Sequence, residues 1–142
     1  MEYFCLARRL AMLDAPLYCY LQNPESVTRN YLPDYMDTFH TFMEAKEALA
    51  ARFSLDAPQW RENSNWAGLL IAIGNEYAPG NPASWHKKQD RVKSFARLPD
   101  MDHAIQTLVP QGLGRNKQIV ANLVRRRMFC LLTLLYTIKN RR

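Results

Sequence analysis

The chain has 142 residues, of which 48% are hydrophobic and 23% charged. This size suits a single globular domain, and the composition excludes an intrinsically disordered chain. The net charge of +6 is unevenly placed, because residues 115–142 hold eight basic residues and no acidic one, against 11 basic and 13 acidic residues before them. A near-neutral body with one basic tail favours contact with an anionic surface such as lipid headgroups or nucleic acid.

The three cysteines are odd in number and show no CxxC spacing. This excludes a disulfide framework and a zinc knuckle, and it indicates a reducing, cytoplasmic location. The start of the chain, MEYFCLARRLAML, lacks the ordered regions of a signal peptide, so we expect no export.

The first 30 residues hold the strand-like part of the sequence. Residues 1–7 resemble the end of a helix, residues 8–14 (RRLAMLD) a short strand, and residues 17–21 (LYCYL) a second strand with aromatic alternation. A polar loop follows. The sequence therefore predicts a short N-terminal strand pair on an otherwise mainly α-helical chain.

Residues 31–142 read as a helical region. A helix is predicted from Pro33 with Asn30 as a possible cap, then a loop over residues 54–64, and then an apolar, buried central helix over residues 65–78. After the break PGNPAS, Ser84 caps the next helix, and a shorter one starts at Pro99 and ends before Pro110.

The last predicted helix runs from residue 115 to residue 139, after a turn that contains two glycines. Its apolar residues recur at helical spacing along one stripe, which consists of Val120, Val124, Met128, Leu131, Leu135 and Ile138. Within it, the apolar block 128–138 is flanked by basic residues on both sides, namely Arg125, Arg126, Arg127, Lys139, Arg141 and Arg142. Eleven helical residues span about 16 Å, roughly half a hydrocarbon core, so the block cannot cross a bilayer. Two interpretations stay open: the helix lies in a membrane interface, or it packs into the core with a basic outer face.

No metal site is predicted. His40, His86 and His103 lie on three different predicted helices without a partner at ligand spacing. Asp100 and Asp102 form a D-x-D, but they follow Pro99 at a helix start, where the helix dipole alone favours acidic residues.

The stretch ARRLAMLDAPLYCYLQNPESVTRN resembles the closing part of the catalytic domain in family 2 glycosyltransferases, the inverting sugar transferases of the GT-A fold. In that family a strand of the type "rrla-l-d" precedes Pro-Leu-Tyr-x-Tyr, a loop ends in Ser-(Val/Ile)-Thr, and a largely helical tail follows. Here the pattern falls on residues 8–14, on residues 16–20, and on residues 26–28. The specific match covers about twenty residues. The resemblance implies that residues 1–30 are the edge of a GT-A α/β domain and that residues 31–142 are its helical C-terminal region.

The resemblance also implies a function. An intact enzyme of this kind moves a sugar from a nucleotide diphosphate donor to a glycan or lipid-linked acceptor with inversion, using a carboxylate base and a divalent metal, Mg or Mn. Both the base and the metal-binding D-x-D should precede residue 1, so we expect this chain to bind no cofactor, to be inactive alone and to associate with itself or another chain. Tyr20, Ser26 and Thr28 are candidate substrate-binding residues, although for Tyr18 and Tyr20 a structural role as strand aromatics is favoured over stacking on a sugar.

The expected setting is polysaccharide or cell-envelope glycan assembly in the cytoplasm, peripherally on the inner face of the cell membrane. The alternative is a non-enzymatic helical module that binds an anionic surface, membrane or nucleic acid, through its basic last helix. Nucleic acid is the less expected of these two partners.

Overall fold

A computed structural model describes residues 5–7, 9 and 30–140 of the chain. Residues 30–140 form six helices, which are α1 (Tyr35–Arg52), α2 (Trp60–Glu76), α3 (Trp85–Phe95), α4 (Pro99–Thr107), α5 (Arg115–Arg125) and α6 (Phe129–Lys139). The prediction of a mainly helical chain is therefore confirmed. Apart from Arg9, which has no regular secondary structure, the predicted strand pair lies outside the described residues.

Helix α2 is the centre of the fold, since it contacts α1, α3, α4 and α5. Its core side chain is Trp66, which is almost fully buried. The indole N–H donates to the carbonyl oxygens of Ala104 at 2.9 Å and Leu108 at 3.1 Å, at the end of α4. These two bonds satisfy the polar end of the ring and the last carbonyls of α4 together, which fixes α4 across the middle of α2.

Two helix boundaries differ between the prediction and the structure. Helix α2 begins at Trp60, so the predicted loop over residues 54–64 is shorter than expected and the central helix is longer. Helix α1 begins at Tyr35, with Asp34 rather than Asn30 at the N-cap position. The predicted Ser84 cap is confirmed, because its hydroxyl accepts from the Lys87 N–H.

The prediction of one last helix over residues 115–139 is wrong. The chain ends α5 at Arg125 and starts α6 at Phe129, with Arg127 in the left-handed region at φ 56°. The Met128 N–H donates to the Leu123 carbonyl and the Arg127 N–H to the Val124 carbonyl, both at 2.9 Å. This is the Schellman pattern that ends many helices, and glycine usually occupies its left-handed position.

The break changes which side of the last segment is buried. Val120 and Val124 of the predicted stripe lie in the core, as expected. Beyond the break the buried residues of α6 are Phe129, Leu132 and Thr133, whereas Met128, Leu131 and Ile138 of the predicted stripe are exposed. The stripe fails there because a left-handed residue resets the helical phase, and a periodicity argument assumes an unbroken helix.

Candidate binding groove and basic surface

An open groove of about 880 Å³ lies between α2, α5 and α6, next to the segment through which the chain enters α1. Its lining residues are mostly aliphatic or aromatic: Asn30, Leu32, Tyr35, Leu70, Ile71, Gly74, Asn75, Ala78, Asn116, Lys117, Ile119, Val120, Leu135, Tyr136, Ile138 and Lys139. The volume is in the range of pockets that hold small molecules.

Three isoleucines from three different helices lie largely exposed in this groove. Ile71 of α2 is 55% exposed, Ile119 of α5 42%, and Ile138 of α6 53%. Single exposed aliphatic residues are ordinary on a protein surface, but a contiguous group in a concavity is a feature of binding sites.

The polar groups at the α1 side of the groove are already paired within the protein. The Asn75 side chain accepts from the Leu32 N–H and donates to the Leu32 carbonyl, both at 2.8 Å. The Tyr35 hydroxyl donates to the Gly68 carbonyl at 3.3 Å, and burial raises the pKa of Tyr35. These bonds hold the start of α1 against α2 and leave apolar atoms to face the groove.

The α6 side of the groove is anchored to the end of α2 by a small buried network. The Tyr77 hydroxyl shares a 2.6 Å hydrogen bond with the Thr133 hydroxyl, and the Tyr77 and Tyr136 rings stack with centroids 4.6 Å apart. The Asn140 amide donates to the Tyr77 carbonyl at 2.7 Å. Burial raises the pKa of Tyr77, which the Thr133 hydrogen bond partly offsets, and burial also raises the pKa of Tyr136.

Two ammonium groups and no carboxylate belong to the described lining of the groove. Lys117 is in the first turn of α5 and Lys139 ends α6, where its Nζ lies 5.7 Å from the centroid of the Tyr136 ring. The groove is lined by the first half of α5 and the last half of α6, and Ile119 and Ile138 lie within two residues of the two lysines. The chemistry that this lining accommodates is an apolar molecule that carries a negative charge.

A second, basic surface surrounds Arg127. The Arg127 guanidinium donates to the Ala96 carbonyl, at the end of α3, at 2.9 Å and forms an ion pair with Asp102. Shallow depressions flank Arg127, one lined by Lys93 and Arg97 and the other by Arg125 and Arg126. Arg127 thus has a partner on another helix, and it is itself exposed, as are Arg97, Arg125 and Arg126 around it. Its predicted role at an anionic surface stays a prediction.

The other predicted site residues are distributed as follows. Lys139 lies in the apolar groove, whereas Arg125 and Arg126 are at the opposite end of α6, about 16 Å away for an 11-residue helix. Among the described residues, Lys139 is thus separate from Arg125 and Arg126. Tyr20, Ser26, Thr28, Arg141 and Arg142 lie outside the described residues.

A buried acidic residue is one feature that the sequence did not predict. Glu76, at the end of α2, is almost fully buried and accepts from the Asn81 amide at 2.9 Å. Arg91 lies 3.6 Å from the other carboxylate oxygen and donates to the Tyr31 hydroxyl at 2.7 Å. This network connects the segment that follows α2 to α3. The indication that the sequence offered was the place of Glu76, an acidic residue at the end of the apolar central segment.

The described residues contain no group of three or more His, Cys, Asp or Glu side chains that could hold a metal ion. Asp100 and Asp102 lie in the first turn of α4, as the sequence predicted. His40, His86 and His103 are exposed, and His103 Nε2 lies 3.7 Å from a Glu62 carboxylate oxygen. None of the described helices is long and apolar enough to cross a membrane.

No protein-family model, no curated protein and no solved structure matches this chain.

Proposed function

We propose that this chain is the helical C-terminal part of a family 2 sugar transferase, which moves a sugar from a nucleotide diphosphate donor to a glycan or lipid-linked acceptor with inversion. The observation that carries the proposal is the residue pattern over positions 8–28, where a strand-like RRLAMLD, the run PLYCY and the triplet SVT occur in the order of that family. The helical body that follows from residue 35 agrees with a helical tail.

In this proposal the chemistry belongs to a preceding segment, which supplies the carboxylate base and the divalent metal, Mg or Mn. The described helices supply surfaces beside that domain. The apolar groove begins at Asn30, two residues after Thr28 of the family pattern. A chain of this type would work in the cytoplasm, on the inner face of the cell membrane, in polysaccharide or cell-envelope assembly.

The test is to read the DNA upstream of Met1 for an in-frame nucleotide-binding half, and to express the joined protein beside the 142-residue chain. Release of nucleoside diphosphate from a panel of nucleotide sugars, with Mg²⁺ or Mn²⁺ present, should occur only with the joined protein. Within it, S26A combined with T28A should lower kcat/KM, and the exposed T107A should not. Absence of an upstream nucleotide-binding half, or of donor binding by the joined protein, would end this proposal.

The second candidate is a non-enzymatic helical module that binds an anionic surface. The observation that favours it is the grouping of Arg97, Arg125 and Arg126 around Arg127, from the ends of α3 and α5. Such a cluster gains affinity for anionic lipid by electrostatic attraction, at about 1 kcal/mol for each basic residue near the surface.

Sedimentation with vesicles distinguishes this candidate. Vesicles that contain phosphatidylserine should bind the chain, vesicles of phosphatidylcholine should not, and binding should fall steeply with salt. The pair R125Q and R126Q should weaken binding, whereas K87Q with K88Q, an equal charge loss at the other end of α3, should have little effect. Equal losses with both pairs would mean that net charge, and not this surface, determines the binding.

A further inference from the structure

The two glycines of α2 differ in what surrounds them. A Cβ built on Gly68 would overlap the Phe39 ring, so the close approach of α1 to α2 requires a glycine there. A Cβ built on Gly74 meets no heavy atom of the described residues within 4 Å. A glycine in a helix interior is destabilising relative to alanine. At Gly74 no packing contact within the described fold accounts for that cost, and the open space beside it is the apolar groove.

The shape of the groove favours a molecule that enters it over a flat surface that covers it. A bilayer cannot fill a concavity of about 880 Å³ between three helices, whereas a single flexible chain can. The exposed methyl groups of Ile71, Ile119 and Ile138 gain burial when such a chain is bound, and apolar burial is the main source of affinity in pockets of this size.

The charges in the groove select the polarity of that molecule. Lys117 and Lys139 are the two charged side chains in the described lining, and the lining residues on the α2 side, Leu70, Ile71, Gly74, Asn75 and Ala78, carry no charge. Two cations in a mostly apolar groove complement a molecule that has an apolar chain and an anionic group, which is the composition of a lipid with an anionic head.

We infer that the groove between α2, α5 and α6 binds the apolar chain of an anionic lipid, with the head group at Lys117 and Lys139. This site goes beyond the transferase proposal and does not depend on it, because every residue in it belongs to the described helical body. It is also separate from the basic surface around Arg127.

The chain contains five isoleucines, which makes the site directly observable. Ile71, Ile119 and Ile138 lie in the groove, while Ile73 and Ile105 are 0% and 3% exposed in the core. With ¹³C-labelled isoleucine methyl groups in the full chain, monomeric dodecyl phosphate should shift the three groove signals and leave the two core signals in place.

Variants test the charge and the space separately. K117Q and K139Q should each weaken dodecyl phosphate binding by roughly two- to fivefold, as expected for single exposed charge pairs, and should leave the weaker binding of neutral dodecyl maltoside unchanged. G74L places a side chain into the open space and should abolish binding of both. G74A, which adds only a methyl group, is the matched control for the fold. The parent, G74A and G74L should all show the same far-UV circular dichroism and the same core isoleucine signals.

Three results would overturn the inference. The first is a lack of shift with dodecyl phosphate together with a shift on anionic vesicles, which would indicate a flat membrane contact. The second is tighter binding of an acidic amphipathic peptide than of the lipid, or binding that is indifferent to both lysines. The third is a set of contacts in the free protein between the groove methyl groups and residues 10–29 or a second copy of the chain, which would mean that the groove is filled by protein. None of these results bears on nucleotide-sugar turnover by the joined enzyme.

Discussion

Replacing each of the two α2 glycines by alanine should change stability in opposite directions. At Gly74 the added Cβ meets no atom within 4 Å in the part of the chain that the structure describes, so the substitution gains the helix propensity of alanine, about 0.5–1 kcal/mol. At Gly68 the Cβ would overlap three atoms of the Phe39 ring. Phe39 is the one buried residue of α1, so its ring has to move at a cost of about 1–3 kcal/mol, from which the same propensity gain of about 0.5–1 kcal/mol is subtracted.

Urea unfolding followed by far-UV circular dichroism measures both effects. G74A should raise the unfolding midpoint at an unchanged slope, and G68A should lower it. Thermal melts should show changes in the same directions, with a shift in Tm of about 4 °C for each kcal/mol in a chain of this size. In G68A, hydrogen exchange should become faster in α1 first, because Phe39 is the buried side chain through which that helix packs on α2. A G68A more stable than the parent, or a destabilised G74A, would refute the interpretation of the two glycines.

Three further predictions concern charged and buried polar groups. R127A should destabilise the fold by about 1–2 kcal/mol, through loss of the Ala96 hydrogen bond and of an exposed ion pair, whereas R126A should lie within about 0.5 kcal/mol of the parent in urea melts. E76Q should lower the free energy of unfolding by about 1–2 kcal/mol, because the substitution removes the charge-assisted contacts of the buried carboxylate. A urea melt at pH 7 should show this loss. Since burial raises the pKa of Tyr77 and Tyr136 above the unfolded value of 10.0, stability should be complete below pH 10 and should fall as the pH rises further, in melts paired with tyrosinate absorbance.

Each of these has a result that contradicts it. Equal effects of R126A and R127A would mean that the Schellman turn does not depend on the Arg127 side chain. An unchanged melt for E76Q would mean that the loop after α2 is held by backbone contacts alone. Stability that is constant above pH 10 would show that the two tyrosines ionise without unfolding the end of α2.

The helical architecture and most helix boundaries could be predicted from local sequence features. Pro99 with two following acids set the start of α4, Ser84 set the start of α3, and Gly112, at φ 69°, lies in the turn before α5. These are short-range effects of dihedral preference, capping and dipole, which depend on a few neighbouring residues and are therefore visible in the sequence.

The break at Arg127 could not be predicted, because the residue in the left-handed conformation is an arginine, and neither a glycine nor a proline marks the position. Its backbone strain is offset by the guanidinium bonds to Ala96 and Asp102, residues that are distant along the chain. Without the break, the apolar stripe continues unbroken into α6, and the face that the structure leaves exposed there is predicted to be the packed or membrane-facing one. The groove was missed for the same reason, since Ile71, Ile119 and Ile138 come together only when three helices pack.

The sequence by itself determined that the chain is mainly helical, where most helices begin, and which short pattern near its start resembles a sugar transferase, because each of these depends on residues close together along the chain. The tertiary structure decided which apolar residues are left uncovered, which arginine bonds to another helix, and that Lys139 lies away from Arg125 and Arg126. These outcomes depend on contacts between residues far apart in sequence, and local preferences do not contain that information.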